Sequence, residues 1–303
     1  MTLPKQHKSA FANFSQRPLK NQVNHSHKRM TNQLPKRDYF YLISSLPEIV
    51  LDQSRAPFSL ANYVTQLEEH LEPQDFQQVR LLLRPYDNRN LLRLLGQETG
   101  QWEALGAFTE SEMREYLEAE EGLPTYMHRF YLAYQSEEPI EAGQGWKDQL
   151  TALYYEHAMG QAEGFLHNWL AYERDLRNVL AAWNIRQYGL DGEGRLIGQG
   201  ETVEALRKSR ARDFGLSTDY PFLSRLLTEL ERDDLMAREK AIDRVQWNYI
   251  NEQLTFHYFT VEVALGYLLH LRMLHRWLSL DPQAGQERVR NFISEMEQKI
   301  ELT

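Results

Sequence analysis

The chain contains no cysteine. That absence removes disulfides, thiol nucleophiles and cysteine-ligated zinc or iron–sulfur sites together. Glycine followed by lysine occurs nowhere, so the phosphate-cradling GxxxxGK[ST] loop is excluded. GxSxG and HExxH are missing as well. No apolar run is long and clean enough to span a bilayer: the best one, Val261 to Leu278, is interrupted by Glu262, His270, Arg272, His275 and Arg276. Residues 1–37 lack acid altogether, while carrying Lys5, Lys8, Arg17, Lys20, Lys28, Arg29, Lys36 and Arg37.

What is present belongs to a core-forming protein. Of 303 residues, 42% are hydrophobic and 12% aromatic, enough to bury a large core. Taking the eight leader cations from 34 basic residues leaves 26 against 43 acidic ones, so the body carries a net charge of −17. Such a body repels nucleic-acid phosphates and suits partners with basic faces. The basic leader 1–37 reads as a disordered tail, as a mis-assigned start before Met30, or as a transit-peptide-like segment; tail or artefact is the favoured reading. Residues 38–300 form the expected folded domain.

The patterning predicts an all-α fold. Tyr39–Leu46 is a short strand or a helix start, closed by Pro47. Ser59 caps a helix to about Leu71, and a second covers Gln74–Arg84 until Pro85 breaks it. Thr109-Glu110-Ser111-Glu112 is a capping box. From Gln161 to Tyr188, the residues Ala162, Phe165, Trp169, Tyr172, Leu176, Val179 and Trp183 recur in steps of three and four, and Gly189 stops the helix. This seam fits an intermolecular coiled coil or, the favoured reading, an internal helix pair. Residues 189–200 form a glycine-rich loop or small hairpin. Three helices follow: Asp233–Leu254 burying Leu235, Ile242, Val245 and Tyr249; a central Val261–Leu278 capped by Thr260; and one starting at Asp281 with Val289, Phe292, Ile293, Met296 and Ile300 inward.

One pattern recurs. Asp87-Asn88-Arg89-Asn90-Leu91-Leu92 and Asp175-Leu176-Arg177-Asn178-Val179-Leu180 share D-x-R-N-aliphatic-L, which points to repeated helical modules.

Catalytic candidates are few. Glu163 and His167 share a helix face, but a di-iron bundle needs Glu-x-x-His twice, and that motif is absent. Asp233-Asp234 opens a helix, where the macrodipole alone favours acids. No catalytic, cofactor or metal residue is therefore expected. Charged and amide side chains inside apolar helices, namely Asn90, Arg177, Asn178, Arg186, Glu262, Arg272 and Arg276, are expected to fix helix register through ion pairs and hydrogen bonds, with partner contact as their second role.

Three stretches carry a resemblance: YFYLISSLPE (Tyr39–Glu48), YERDLRNVLAAWNIRQYG (Tyr172–Gly189), and REKAIDRVQWNYI with FTVEVALGYLLHLRMLHRW (Arg238–Trp277). Together, over roughly 38–300, they resemble a bacterial family encoded among V-type ATPase genes, in the place of the C-type coupling component (the d-type in eukaryotes). The resemblance implies elongated helical modules in the funnel-shaped arrangement of that component. It also implies a non-catalytic role without cofactors, coupling the central stalk to the membrane ring during ion transport. The location implied is cytoplasmic and peripheral, on the inner face of the cell membrane. A soluble helical scaffold unrelated to the ATPase is the alternative.

Overall fold

The computed structural model describes residues 38–279 apart from Glu120 and Glu193. The leader 1–37 and the helix expected from Asp281 lie outside the described residues.

The described residues form eleven helices and no strand, an all-α fold. They are α1 (Phe40–Ser44), α2 (Leu60–His70), α3 (Pro73–Leu94), α4 (Glu110–Ala119), α5 (Thr125–Gln135), α6 (Trp146–Gln161), α7 (Gly164–Tyr188), α8 (Glu201–Lys208), α9 (Leu223–Leu230), α10 (Leu235–Leu254) and α11 (Val261–Ser279). Among them, none is long and apolar enough to cross a membrane.

Local chemistry sets many boundaries. The Ser59 hydroxyl accepts the Asn62 N–H at 3.1 Å and starts α2. Thr109 and Glu112 exchange hydrogen bonds as a capping box before α4. The Asp234 carboxylate receives Met236 and Ala237 N–H groups at 2.9 and 3.1 Å, so the acid there serves as an N-cap. Gly189 ends α7 in the left-handed conformation, φ 61° and ψ 35°, which costs glycine no Cβ clash.

α11 lies centrally, buried from Ala264 to Leu271 and packed against α2, α3, α7 and α10. The apolar seam of α7 is buried throughout and turned onto neighbouring helices of the same chain, which fulfils the internal reading. Each large seam side chain contributes on the order of 1.5–3 kcal/mol by leaving water.

The structure corrects four expectations. α3 runs through Pro85 to Leu94 instead of breaking there. The lost N–H would orphan the Leu81 carbonyl, but the Tyr154 hydroxyl of α6 donates to it at 3.2 Å. α7 starts at Gly164, because Ala162 and Glu163 are extended and separate it from α6. In α10, Leu235 is exposed, and Ile242, Val245 and Tyr249 are half-buried. The inward stripe is Asp243, Trp247 and Ile250, one position round the helix, since Asp243 pairs with Arg276 and Trp247 stacks on His270. Finally, the pattern assigns no helix to 125–161 or 201–230, where α5, α6, α8 and α9 stand. Tyr39–Leu46, open between strand and helix, contains the short helix α1.

Candidate functional site

The repeated pattern marks two equivalent constructions. α2 and α3 are joined by Leu71 and Glu72, both extended (ψ 146° and 147°); α6 and α7 are joined by Ala162 and Glu163, also extended (ψ 146° and 157°). Each second helix then brackets the loop that follows it. Asn90 accepts the Glu103 N–H at 2.8 Å and donates to the Glu103 carbonyl at 3.0 Å. Asn178 accepts the Ile197 N–H at 2.8 Å and donates to the Ile197 carbonyl at 2.8 Å. Both asparagines are fully buried. An amide side chain has one donor and one acceptor to match the N–H and C=O of a single residue, which explains why asparagine recurs at this place.

The aspartates of the pattern fasten later segments to the same helices, Asp87 the loop that Asn90 brackets and Asp175 the segment after α8. Asp87 accepts the Ala107 N–H at 2.7 Å and pairs with Arg84 at 3.0 Å. Burial nevertheless pushes its carboxyl above the usual range, with Arg84 and the loop amides opposing. Gly106 lets the loop approach so closely: a Cβ there would lie 2.5 Å from the Asp87 carboxylate. Asp175 accepts the Tyr220 hydroxyl at 2.7 Å and is paired with Arg174 at 2.9 Å.

Between the two constructions, helices α3, α6, α7, α10 and α11 enclose a cleft of about 660 Å³. Five cations stand on its walls, and each meets a carboxylate. Arg272 lies 3.2 Å from Glu173, Arg177 2.6 Å from Asp148, and Arg276 2.5 Å from Asp243 and 2.8 Å from Glu239. Lys147 pairs with Glu98 at 2.5 Å and Arg89 with Glu103 at 3.1 Å. Tyr155 also donates to Glu173, at 3.3 Å. Burial, followed by the charge of Glu173, holds the Tyr154 and Tyr155 hydroxyls well above their ordinary pKa, so they act as neutral donors. Burial works most strongly against the Arg272 charge, but Glu173 together with Tyr86, Tyr154 and Tyr155 outweighs it, so the guanidinium's pKa ends above its ordinary value.

Of the seven residues expected to matter, Arg177, Arg272 and Arg276 thus meet in the cleft. Asn90 and Asn178 bracket the loops. Arg186 stands elsewhere: it donates to the Ala211 and Ser209 carbonyls at 2.6 and 2.8 Å and covers the Phe214 ring at 4.0 Å. Glu262, at the start of α11, lies 3.6 Å from His257. Asp148, Asp243 and Tyr154 escaped the sequence reading. Asp243 alone carried a signal, as an acid in register with the inward stripe of α10. Among the described residues, no three His, Asp or Glu side chains converge as metal ligands.

Two repeated helix pairs, each with an asparagine-bracketed loop, and an ion-paired cleft that α10 and α11 close against α3, α6 and α7 define an all-α protein of modular construction. The chain belongs to the family described as protein of unknown function (DUF2764), whose model matches residues 36–300. A comparison with curated proteins gives no match.

Proposed function

We propose that this chain is a non-catalytic subunit of a bacterial V/A-type ATPase, coupling the central stalk to the membrane ring during ion transport. It would work without a cofactor, on the cytoplasmic face of the cell membrane, with stalk and ring subunits as partners. The observation supporting this reading is the repeat: two helix pairs carry the same bracket at Asn90–Glu103 and Asn178–Ile197. Repeated helical modules are what the resemblance to the C-type coupling component implies. A coupler also has to transmit torque without deforming, and side-chain brackets that pin loops to long helices suit that task.

The test is genetic and biochemical. Tagged protein drawn from its native cells should bring down ATPase stalk and ring subunits, less so as salt is raised, because the acidic body favours electrostatic contacts. Deleting the gene should abolish ATP-driven ion transport while the detached head continues to hydrolyse ATP. Normal coupled transport in the deletion strain would sink the proposal and leave the scaffold reading in its place.

A further inference from the structure

Four polar side chains on the walls of the cleft carry hydrogen-bonding groups that the fold does not use. Arg272 gives one N–H of its fork to Glu173, at 3.2 Å, and the rest of the guanidinium meets no acceptor among the described residues. Asn88 is 7% exposed; its Oδ1 accepts the Tyr126 hydroxyl at 2.6 Å, while its amide nitrogen donates to nothing among those residues. The Tyr86 hydroxyl and the Gln246 amide have no partner among them either, although Tyr86 is only 9% exposed. Buried polar groups in folded proteins are almost always paired, so two such donors beside a partly used guanidinium need a reason. Packing does not give one: Arg89 lies 4.7 Å from the centre of the Tyr86 ring, a contact that phenylalanine would make as well.

These groups come from three helices: Tyr86 and Asn88 from α3, Gln246 from α10 and Arg272 from α11. Most of what they leave unused is donors. Their complement is a ligand that brings several acceptor oxygens to one place. The charge on the walls makes those oxygens anionic. Arg89, Lys147, Arg177, Arg272 and Arg276 line the cleft, against only Glu98, Glu173 and Asp243. The other carboxylates of the ion pairs, Asp148, Glu239 and Glu103, stand outside the lining, so the cations lie nearer to anything bound. The volume of about 660 Å³ falls within the range of small-molecule pockets, roughly 300–1,000 Å³, which leaves room for an organic molecule around the anionic group.

We infer that the cleft binds a small organic oxyanion, a phosphate ester or a carboxylate, through Arg272 with Tyr86, Asn88 and Gln246 as further hydrogen-bonding groups. The bound group bridges α3, α10 and α11, and so stabilises the folded chain by mass action. Such binding needs no ATPase subunit, so the site stands or falls apart from the coupling role.

The test is calorimetric titration of the purified full chain, at constant ionic strength, with glucose 6-phosphate, inorganic phosphate and succinate. Glucose is the uncharged control. Wild type should bind at least one oxyanion probe saturably and glucose not at all, and its melting temperature should rise as that probe is added. Tyr86→Phe and Gln246→Glu remove no hydrogen bond within the protein, so both should melt as wild type does without probe. Tyr86→Phe should weaken binding about tenfold, through the loss of a hydrogen bond to a charged group. Gln246→Glu sets a negative charge on the wall and should weaken it at least as much. Should one variant melt low, the other decides. Binding of the two phosphates alone makes the ligand a phosphate, and binding of succinate alone makes it a carboxylate; either supports the site, as does binding of all three. No saturable binding of any oxyanion probe by wild type overturns it. Binding that a normally melting variant leaves unchanged also overturns it, since the anion then sits elsewhere. Glucose bound as tightly as glucose 6-phosphate does the same, because the anionic group would then contribute nothing.

Discussion

The Tyr154 hydroxyl lies 3.2 Å from the carbonyl oxygen of Leu81, the acceptor that Pro85 cannot serve. A proline in a helix interior removes one hydrogen bond and costs about 3 kcal/mol when nothing compensates. Here a neighbouring helix supplies the missing donor, and α3 continues for nine residues beyond the proline, to Leu94.

Replacing Tyr154 by Phe should therefore lower stability by about 1–3 kcal/mol in urea unfolding, the cost of a buried carbonyl left without a partner. In a Pro85→Ala background the same replacement should cost less, because the alanine N–H can take the Leu81 carbonyl. Equal losses in both backgrounds would mean that Tyr154 contributes through packing alone.

The brackets predict a local effect. Asn178→Ala should cost about 2–3 kcal/mol, since it strands both the N–H and the C=O of Ile197. Amide hydrogen exchange at Ile197 should accelerate, while that at Glu103 stays as it was. Asn90→Ala should do the reverse. Unaltered protection at Ile197 in the first variant would refute the bracket.

How much was legible in the sequence follows from these same residues. Helices whose apolar stripe and caps are local, such as α2, α7 and α11, can be read from spacing, because period and capping are properties of a few neighbouring residues. The continuation of α3 could not be read, since the donor that rescues Leu81 lies 73 residues away on α6. The stripe of α10 was misplaced because its inward face carries Asp243, an acid whose burial is sustained by Arg276 on another helix. At the cleft, Arg177, Arg272 and Arg276 stood out as charges within apolar patterns. Of their carboxylate partners only Asp243 carried a signal; Glu173, Asp148 and Glu239 did not, because nothing local tells whether an acid on a helix faces water or an arginine. The echo of Asp87–Leu92 at Asp175–Leu180 announced both brackets, but not the loop peptides they hold.

His270 gives a pH prediction. Its ring stacks on Trp247 with centroids 3.8 Å apart, and burial pushes its pKa down from 6.5 to about 4. Below pH 6.5 the unfolded chain takes up the proton that the folded chain refuses, so stability is lost as pH falls from 6.5 towards 4 and levels off below. The loss attributable to this group is at most about 3 kcal/mol. Asp87 and Asp243, whose pKa values are raised by burial, act in the opposite sense, favouring the folded chain as pH falls. The difference between wild type and His270→Phe isolates the histidine. The variant should hold its urea midpoint better between pH 7.5 and 5, and parallel curves would rule the histidine out.

The cleft offers the sharpest separation of structure from recognition. Glu173 on α7 and Arg272 on α11 are both about three-quarters buried, with side-chain exposures of 25% and 27%. Glu173→Gln keeps an acceptor for the Tyr155 hydroxyl but leaves the Arg272 cation without its counter-charge. That should cost about 2–3 kcal/mol, somewhat below the figure for a fully buried pair, because water still reaches these groups. Removing the whole network as Glu173→Leu, Arg272→Met and Tyr155→Phe leaves no stranded charge or hydroxyl, and should recover stability to within about 1 kcal/mol of wild type. If the ions serve only to hold α7 and α11 in register, this stable triple variant should still capture ATPase subunits as wild type does. A triple variant that melts normally yet captures nothing would instead make the cleft a contact surface. One that stays as unstable as Glu173→Gln would show that the apolar replacements cannot fill the space between the two helices.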